Sequence, residues 1–176
     1  TIILAAGKGT RMKSDLPKVL HKVCGKPMLE HVIDAAKAIG STRELVVIGS
    51  GAELVQQSIG DVEFVMQEEQ LGTGHAVLCT RDALKGVEGT VMILCGDTPL
   101  LTTDLLSNLA NAHQRSGSKA TVLTAVMPDA TGYGRIVRAE DGSVEKIVEH
   151  KDATEDERSI REVNSGIYCF DIATLF

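Results

Sequence analysis

Four times in the first hundred residues, a short, largely apolar run gives way to a glycine-containing loop and then to a segment with helical spacing. The runs cover residues 1–4, 45–48, 62–66 and 91–94. Strands that are apolar at every position are buried on both faces, as in a parallel sheet covered by helices on each side. The first helix opens at Pro27, places Met28, Leu29, Val32, Ile33, Ala36 and Ile39 at helical spacing, and stops at Gly40. Further helices are expected over 52–59, from the loop at 67–74 through about residue 84, and over 103–115. A fifth strand is expected over 120–127. The predicted architecture is an α/β fold with a mostly parallel central sheet and helices on both faces.

After Pro128 the texture changes. Residues 134–139, the Asp141-Gly142 turn and residues 144–149 read as a hairpin. The acidic stretch 152–162 reads as an exposed loop or short helix, and 163–170 as a further strand. These segments form a β-rich appendage on the same domain, and a chain of 176 residues is ample for one real core. Both ends look cut, since Thr1 starts inside a strand pattern and Phe176 closes an unfinished segment; a longer polypeptide is expected.

Hydrophobic residues make up 43% of the chain and charged residues 24%, which excludes a disordered or fibrous class. No apolar run nears the roughly 20 residues needed to span a bilayer, and nothing resembles a secretory signal, so no membrane partner is expected. A net charge of −6 with 3% aromatics and no Trp argues against a nucleic-acid binder. Cys24, Cys79, Cys95 and Cys169 contain no Cys-x-x-Cys, and unpaired thiols in a reducing, cytoplasmic setting are the simplest reading. The charge is unevenly spread. Residues 1–26 hold six lysines and arginines against Asp15 alone, a net +5, which leaves −11 for the rest. A basic end on an acidic protein points to a local anionic ligand.

In open α/β sheets, ligands bind beyond the carboxyl ends of the strands. The loops 5–13, 49–51, 67–74 and 95–99 all follow strands and must share that edge, so one composite site is expected. The loop Leu4-Ala-Ala-Gly-Lys-Gly-Thr-Arg-Met12 carries the strongest signal. Gly7 and Gly9 let backbone N–H groups approach phosphate oxygens. Arg11 supplies a fork for two oxygens, and Lys18 a compact charge seven residues on. Met12 stands where a dinucleotide fingerprint needs its third glycine, and the spacing is wrong for a P-loop. The bland alternative is a tight turn with solvated lysines.

Asp97, in Cys95-Gly-Asp-Thr-Pro99, either presents one carboxylate to a divalent ion or caps the helix starting near Thr102. Gln67-Glu-Glu-Gln-Leu-Gly-Thr73 offers amides for a base edge, or is a polar surface loop. Thr131-Gly-Tyr-Gly-Arg135 is a glycine-rich turn of similar ambiguity. Glu149 and Asn164 are isolated polar residues in apolar strands, either bonded to backbone or available to sugar hydroxyls. The five histidines have no metal spacing, and no nucleophile triad is found. Phosphate loops, one metal carboxylate and no nucleophile together point to direct phosphoryl or nucleotidyl transfer.

With these residues in place, the chain resembles the sugar-nucleotide pyrophosphorylases. Leu4 to Met12 followed by Pro17-Lys18 marks the broad superfamily. Gln70-Leu-Gly-Thr-Gly-His-Ala76, Thr131-Gly-Tyr-Gly-Arg-Ile136, Val148-Glu-His-Lys-Asp-Ala153 and Asn164-Ser-Gly166 narrow the likeness. They match the N-terminal uridylyltransferase domain of the bifunctional bacterial N-acetylglucosamine-1-phosphate uridylyltransferase / glucosamine-1-phosphate N-acetyltransferase family, over essentially all 176 residues. The resemblance implies a Rossmann-like nucleotidyltransferase fold, with the β-rich appendage binding sugar. It also implies transfer of UMP from UTP to N-acetylglucosamine 1-phosphate, giving UDP-N-acetylglucosamine and pyrophosphate for cell-wall precursors.

On matching residues, the resemblance implies that Leu4, Ala5, Ala6, Gly7 and Gly9 cradle the nucleotide. Arg11 and Lys18 would stabilise the triphosphate and transition state, while Gln67, Gly72 and Thr73 read uracil. Asp97 would hold Mg²⁺ and act with Arg11 and Lys18 in catalysis. Gly96, Gly134, Glu149 and Asn164 would bind the sugar phosphate. It further implies a parent enzyme that is a homotrimer through a left-handed β-helix acetyltransferase domain. Two departures stand beside this: Cys95 replaces an aromatic residue common in the family, and the family's second metal-side Asn and its Tyr segment fall beyond Phe176. The alternatives are a related sugar-1-phosphate nucleotidyltransferase with another sugar or base, or an inactive nucleotide-binding fragment.

Overall fold

The strand–helix alternation expected from the apolar runs is present in a computed structural model that describes Thr1–Phe176, the side chain of Arg11 alone excepted. The chain forms two compact units, Thr1–Thr121 with Tyr168–Phe176, and Val122–Ile167. Strand β1 (Ile2–Leu4) leads through short 3-10 turns at Thr10–Met12 and Lys18–Leu20 to a ribbon of β2 (Lys22–Val23) and β3 (Lys26–Pro27). Then come α1 (Met28–Ala38), β4 (Leu45–Ile48), α2 (Ala52–Ser58), β5 (Glu63–Met66), α3 (Thr73–Leu78), β6 (Thr90–Cys95) and α4 (Thr103–Ser116). The remainder is β7 (Ala120–Val126), β8 (Arg135–Arg138), β9 (Val144–Val148), α5 (Glu155–Ser159), β10 (Glu162–Asp171) and α6 (Ile172–Leu175). No helix among the described residues is long and apolar enough to cross a membrane.

In the first unit the strand order is β5-β4-β1-β6, all parallel, with Tyr168–Asp171 of β10 closing antiparallel on β6. Ile2, Leu45, Val47, Val91 and Ile93 face one side and pack with Ala76, Val77, Leu84 and Ile172. Ile3, Val46 and Leu94, one residue out of phase, are equally buried, so the opposite face is covered too. Helices α1 and α4 pack on each other and carry the buried Leu29, Val32, Ile33, Leu106 and Leu109. The mostly parallel, two-sided sheet is therefore the one that the continuous apolar runs called for. Its parallel strands put the loops after β1, β4, β5 and β6 at one edge.

Three local expectations change. The helix predicted through residue 84 stops at Leu78. The Thr80 hydroxyl, fully buried, donates to the Val77 carbonyl at 2.7 Å, and the following amides reach back three residues in tight turns. Leu84 still reaches the core, which is why its spacing looked helical. Strand β9 ends at Val148, so Glu149 lies just outside it and is exposed, not buried in an apolar strand. The small β2-β3 ribbon was not anticipated; two-residue strands are too short to show a period.

In the second unit, β8 pairs antiparallel with β9 and, through Arg135 opposite Val163, with β10. The β8-β9 turn is closed by the Asp141 carboxylate, which accepts from the Ser143 amide at 2.9 Å and hydroxyl at 2.6 Å. The acidic stretch resolves into α5, started by a capping box in which the Thr154 hydroxyl accepts from the Glu157 amide while Glu157 accepts from the Thr154 amide.

Candidate functional site

Beyond β1 the chain cannot continue straight, because Ala5 still donates to the Val47 carbonyl at 2.8 Å and then leaves the sheet. Leu4 to Met12 wraps a cavity of about 550 Å³. Its wall also includes Lys18, Val19, Gln67, Gln70, Thr73 and Asp97. Gly7 has open space where a side chain would stand. Gly9 does not. Its φ is 57°, and a Cβ there would lie 2.6 Å from the Lys18 Cβ. Glycine at position 9 is thus what lets Lys18 come over the loop.

The Lys18 ammonium donates to the Asp97 carboxylate across 79 residues of sequence, which brings the two predicted catalytic groups together. Both remain partly open to solvent, at 40% and 32% side-chain exposure, so the pair is accessible to a ligand. Asp97 does not cap α4. That role belongs to Thr102, whose hydroxyl accepts from the Leu105 amide at 3.2 Å. Cys95 lines the same cavity, and its thiol is pushed above its ordinary range first by burial and then by the Asp97 charge. It therefore stays protonated at neutral pH and offers bulk, not a thiolate. The third predicted catalytic group, Arg11, has its side chain outside the described residues.

The remaining predicted residues divide by role. Gln67 is 3% exposed, and its amide nitrogen faces the Gly72 carbonyl and His75 Nδ1, both at 3.1 Å. It braces the 67–74 loop, and Gly72 and Thr73 open α3 beside the cavity with Gly72 at φ 102°. Gln70, a second amide of the same loop, also lines the cavity and donates to the Ala6 carbonyl at 2.8 Å. Gly96 donates to the Leu4 carbonyl at 2.9 Å, and a Cβ there would press on Leu4 and Leu29. Close packing accounts for that glycine. The 49–51 loop also serves packing, with Gly49 against Ala6 and Gln67 and Gly51 against Pro17.

In the second unit, register explains what sequence alone left scattered. Arg135 opposes both Val148 and Val163 in antiparallel pairs, so the adjacent rung aligns Gly134 with Glu149 and Asn164. Asn164 donates its amide to the Gly134 carbonyl at 2.9 Å. A Cβ on Gly134 would press on Ile147 Cγ2 at 3.2 Å and sit 3.4 Å from Glu149 Oε1 and 3.6 Å from Asn164 Cβ. The central glycine thus makes room for Ile147 and leaves a small notch beside the Glu149 carboxylate, a group suited to hydroxyls, and beside Asn164, whose Oδ1 accepts from the Gly166 amide at 3.0 Å. Three of the four predicted sugar-phosphate residues meet here.

Among the described residues no group of three or more His, Cys, Asp and Glu is arranged to hold a metal ion. Asp97 alone is a hard oxygen donor of the kind Mg²⁺ accepts when substrate phosphates supply the other positions.

The chain is 57% identical over 176 residues to the bifunctional protein GlmU of Shouchella clausii (strain KSM-K16), covering 99% of this chain and 39% of that protein. It is 56% identical over 176 residues to the protein of the same name from Geobacillus thermodenitrificans (strain NG80-2), covering 99% and 38%. The chain therefore spans about two fifths of the length of these relatives. Residues 1–162 match the family described as the MobA-like NTP transferase domain, and the chain belongs to that family.

Proposed function

We propose that this chain transfers UMP from UTP to N-acetylglucosamine 1-phosphate, releasing pyrophosphate. The observation that carries the reading is the Lys18–Asp97 pair at the wall of a glycine-lined cavity, where a cation and a metal-seeking carboxylate stand together. A sugar-phosphate oxygen attacks the α-phosphorus of UTP, and the bond between that phosphorus and the α–β bridging oxygen breaks. The acceptor is already anionic, so no general base is required and the protein's work is alignment and charge neutralisation. Lys18, with Arg11, neutralises charge on the phosphoryl oxygens, and the loop from Leu4 to Gly9 holds the polyphosphate against backbone amides. Gln67 keeps Gly72 and Thr73 in place for the base. Asp97 would hold a divalent metal, taken as Mg²⁺, which would supply Lewis-acid neutralisation of the phosphates. Gly134, Glu149 and Asn164 take the acceptor sugar; a cytoplasmic setting and a part in cell-wall precursor synthesis go with this reading.

The test is pyrophosphate release with UTP, dTTP or CTP against a panel of sugar 1-phosphates. UTP with N-acetylglucosamine 1-phosphate should be the preferred pair. A clear preference for another base or sugar would overturn the assignment while leaving nucleotidyl transfer intact.

A further inference from the structure

Arg135 is the anomaly of the second unit. Its side chain is 2% exposed, yet its Nε is buried with no hydrogen-bond partner. A desolvated guanidinium with an unsatisfied nitrogen is unfavourable, and such groups persist where they fix something else. Its two other nitrogens are engaged. Nη1 donates to the Tyr133 carbonyl; Nη2 reaches His150 Nδ1 at 3.2 Å and the Arg158 carbonyl at 3.5 Å. Arginine has no acceptor, so in this contact His150 Nδ1 is the accepting atom. Asp129, at the start of the same turn, accepts from the Thr131 amide at 2.9 Å. Its carboxyl is held below the usual range chiefly by the Thr131 hydrogen bonds and then by the Arg135 charge.

The groups that Arg135 holds are the chain neighbours of the notch. Tyr133 precedes Gly134, and His150 follows Glu149. We propose that Arg135 is a positioning residue that sets the spacing of Gly134 and Glu149 by clamping Tyr133 and His150 from beneath, and so governs acceptor binding without touching the acceptor. This rests on reading the notch as the place of the sugar phosphate.

Arg135→Met keeps the apolar stem and removes the fork, His150→Phe keeps the ring and removes the acceptor, and Arg135→Lys restores one donor. Calorimetric titration of each with N-acetylglucosamine 1-phosphate and with UTP reads the effect. Arg135→Met should raise Kd for the sugar phosphate about ten-fold or more while Kd for UTP stays within about two-fold, with a smaller loss for His150→Phe and partial rescue by lysine. Amide exchange in the ligand-free protein should speed up at Tyr133, Asp152 and Asn164 but not at Val46 or Val47. Equal weakening of both ligands, or unchanged sugar-phosphate binding with unchanged exchange, overturns the proposal. If the parent chain binds UTP but no sugar phosphate, the acceptor assignment has failed, and the exchange pattern alone decides for or against the clamp.

Discussion

Lys18 and Asp97 meet only because Gly9 leaves room. The glycine adopts φ 57°, and its missing Cβ is the space that the Lys18 stem occupies. Gly9→Ala should therefore act twice. The left-handed backbone costs an L-residue roughly 1–2 kcal/mol, and the added methyl must push Lys18 off the loop. A lower urea midpoint together with a fall in kcat is expected; lost stability with kcat unchanged would mean that Lys18 does not depend on the glycine. Asp97→Asn isolates the chemistry instead. The amide keeps the shape but not the charge, so pyrophosphate release should drop by about 10²-fold or more with thermal stability retained. Retained turnover would remove Asp97 from the metal assignment.

At the level of elements, the two readings of Asp97 were separable because Thr102 is the cap of α4. Thr102→Ala should lower stability by about 1 kcal/mol and leave turnover unchanged, the converse of Asp97→Asn. Urea unfolding beside the pyrophosphate assay distinguishes the two. Helix α5 adds a pH signature. Glu157 accepts from Lys146 and from the Thr154 amide, and its pKa falls from 4.5 to about 2, with the Lys146 hydrogen bond the largest cause. A depressed carboxylate stabilises the fold above its unfolded pKa, and that contribution is lost as pH falls through the folded value. The difference in Tm between the parent and Glu157→Gln should be full at neutral pH and shrink between pH 4.5 and about 2. The parallel strands were legible because burial on both faces leaves a continuous apolar run, and the first glycine loop because backbone-to-phosphate approach needs small residues. The early stop of α3 at Leu78 was not legible, since Thr80, a threonine bonding back to a carbonyl, looks like any polar residue. The Gly134–Glu149–Asn164 rung was grouped only through the family resemblance, because alignment across three strands is a property of register, which a linear reading does not contain.

Over the whole chain, the −6 net charge conceals a basic opening segment of +5 set against −11 elsewhere. Within that segment the lysines do different work. Lys18 is bound to Asp97, and Lys26 is paired with Asp34 at 2.5 Å. Lys8 and Lys13 are exposed at either side of Gly9 and the Thr10–Met12 turn. A polyanion approaching this edge meets their field before it meets Lys18, and a field of exposed charges is screened over about 10 Å at 0.1 M salt. KM for UTP should therefore rise with ionic strength. Replacing Lys8 by Gln and Lys13 by Asn, a residue that tolerates the left-handed φ of 48° at position 13, should flatten that dependence while leaving kcat unchanged. Steady-state kinetics across a salt series provides the check. An unaltered slope in the double variant would assign the salt response to Lys18 and the loop itself, and reduce the outer lysines to solvation.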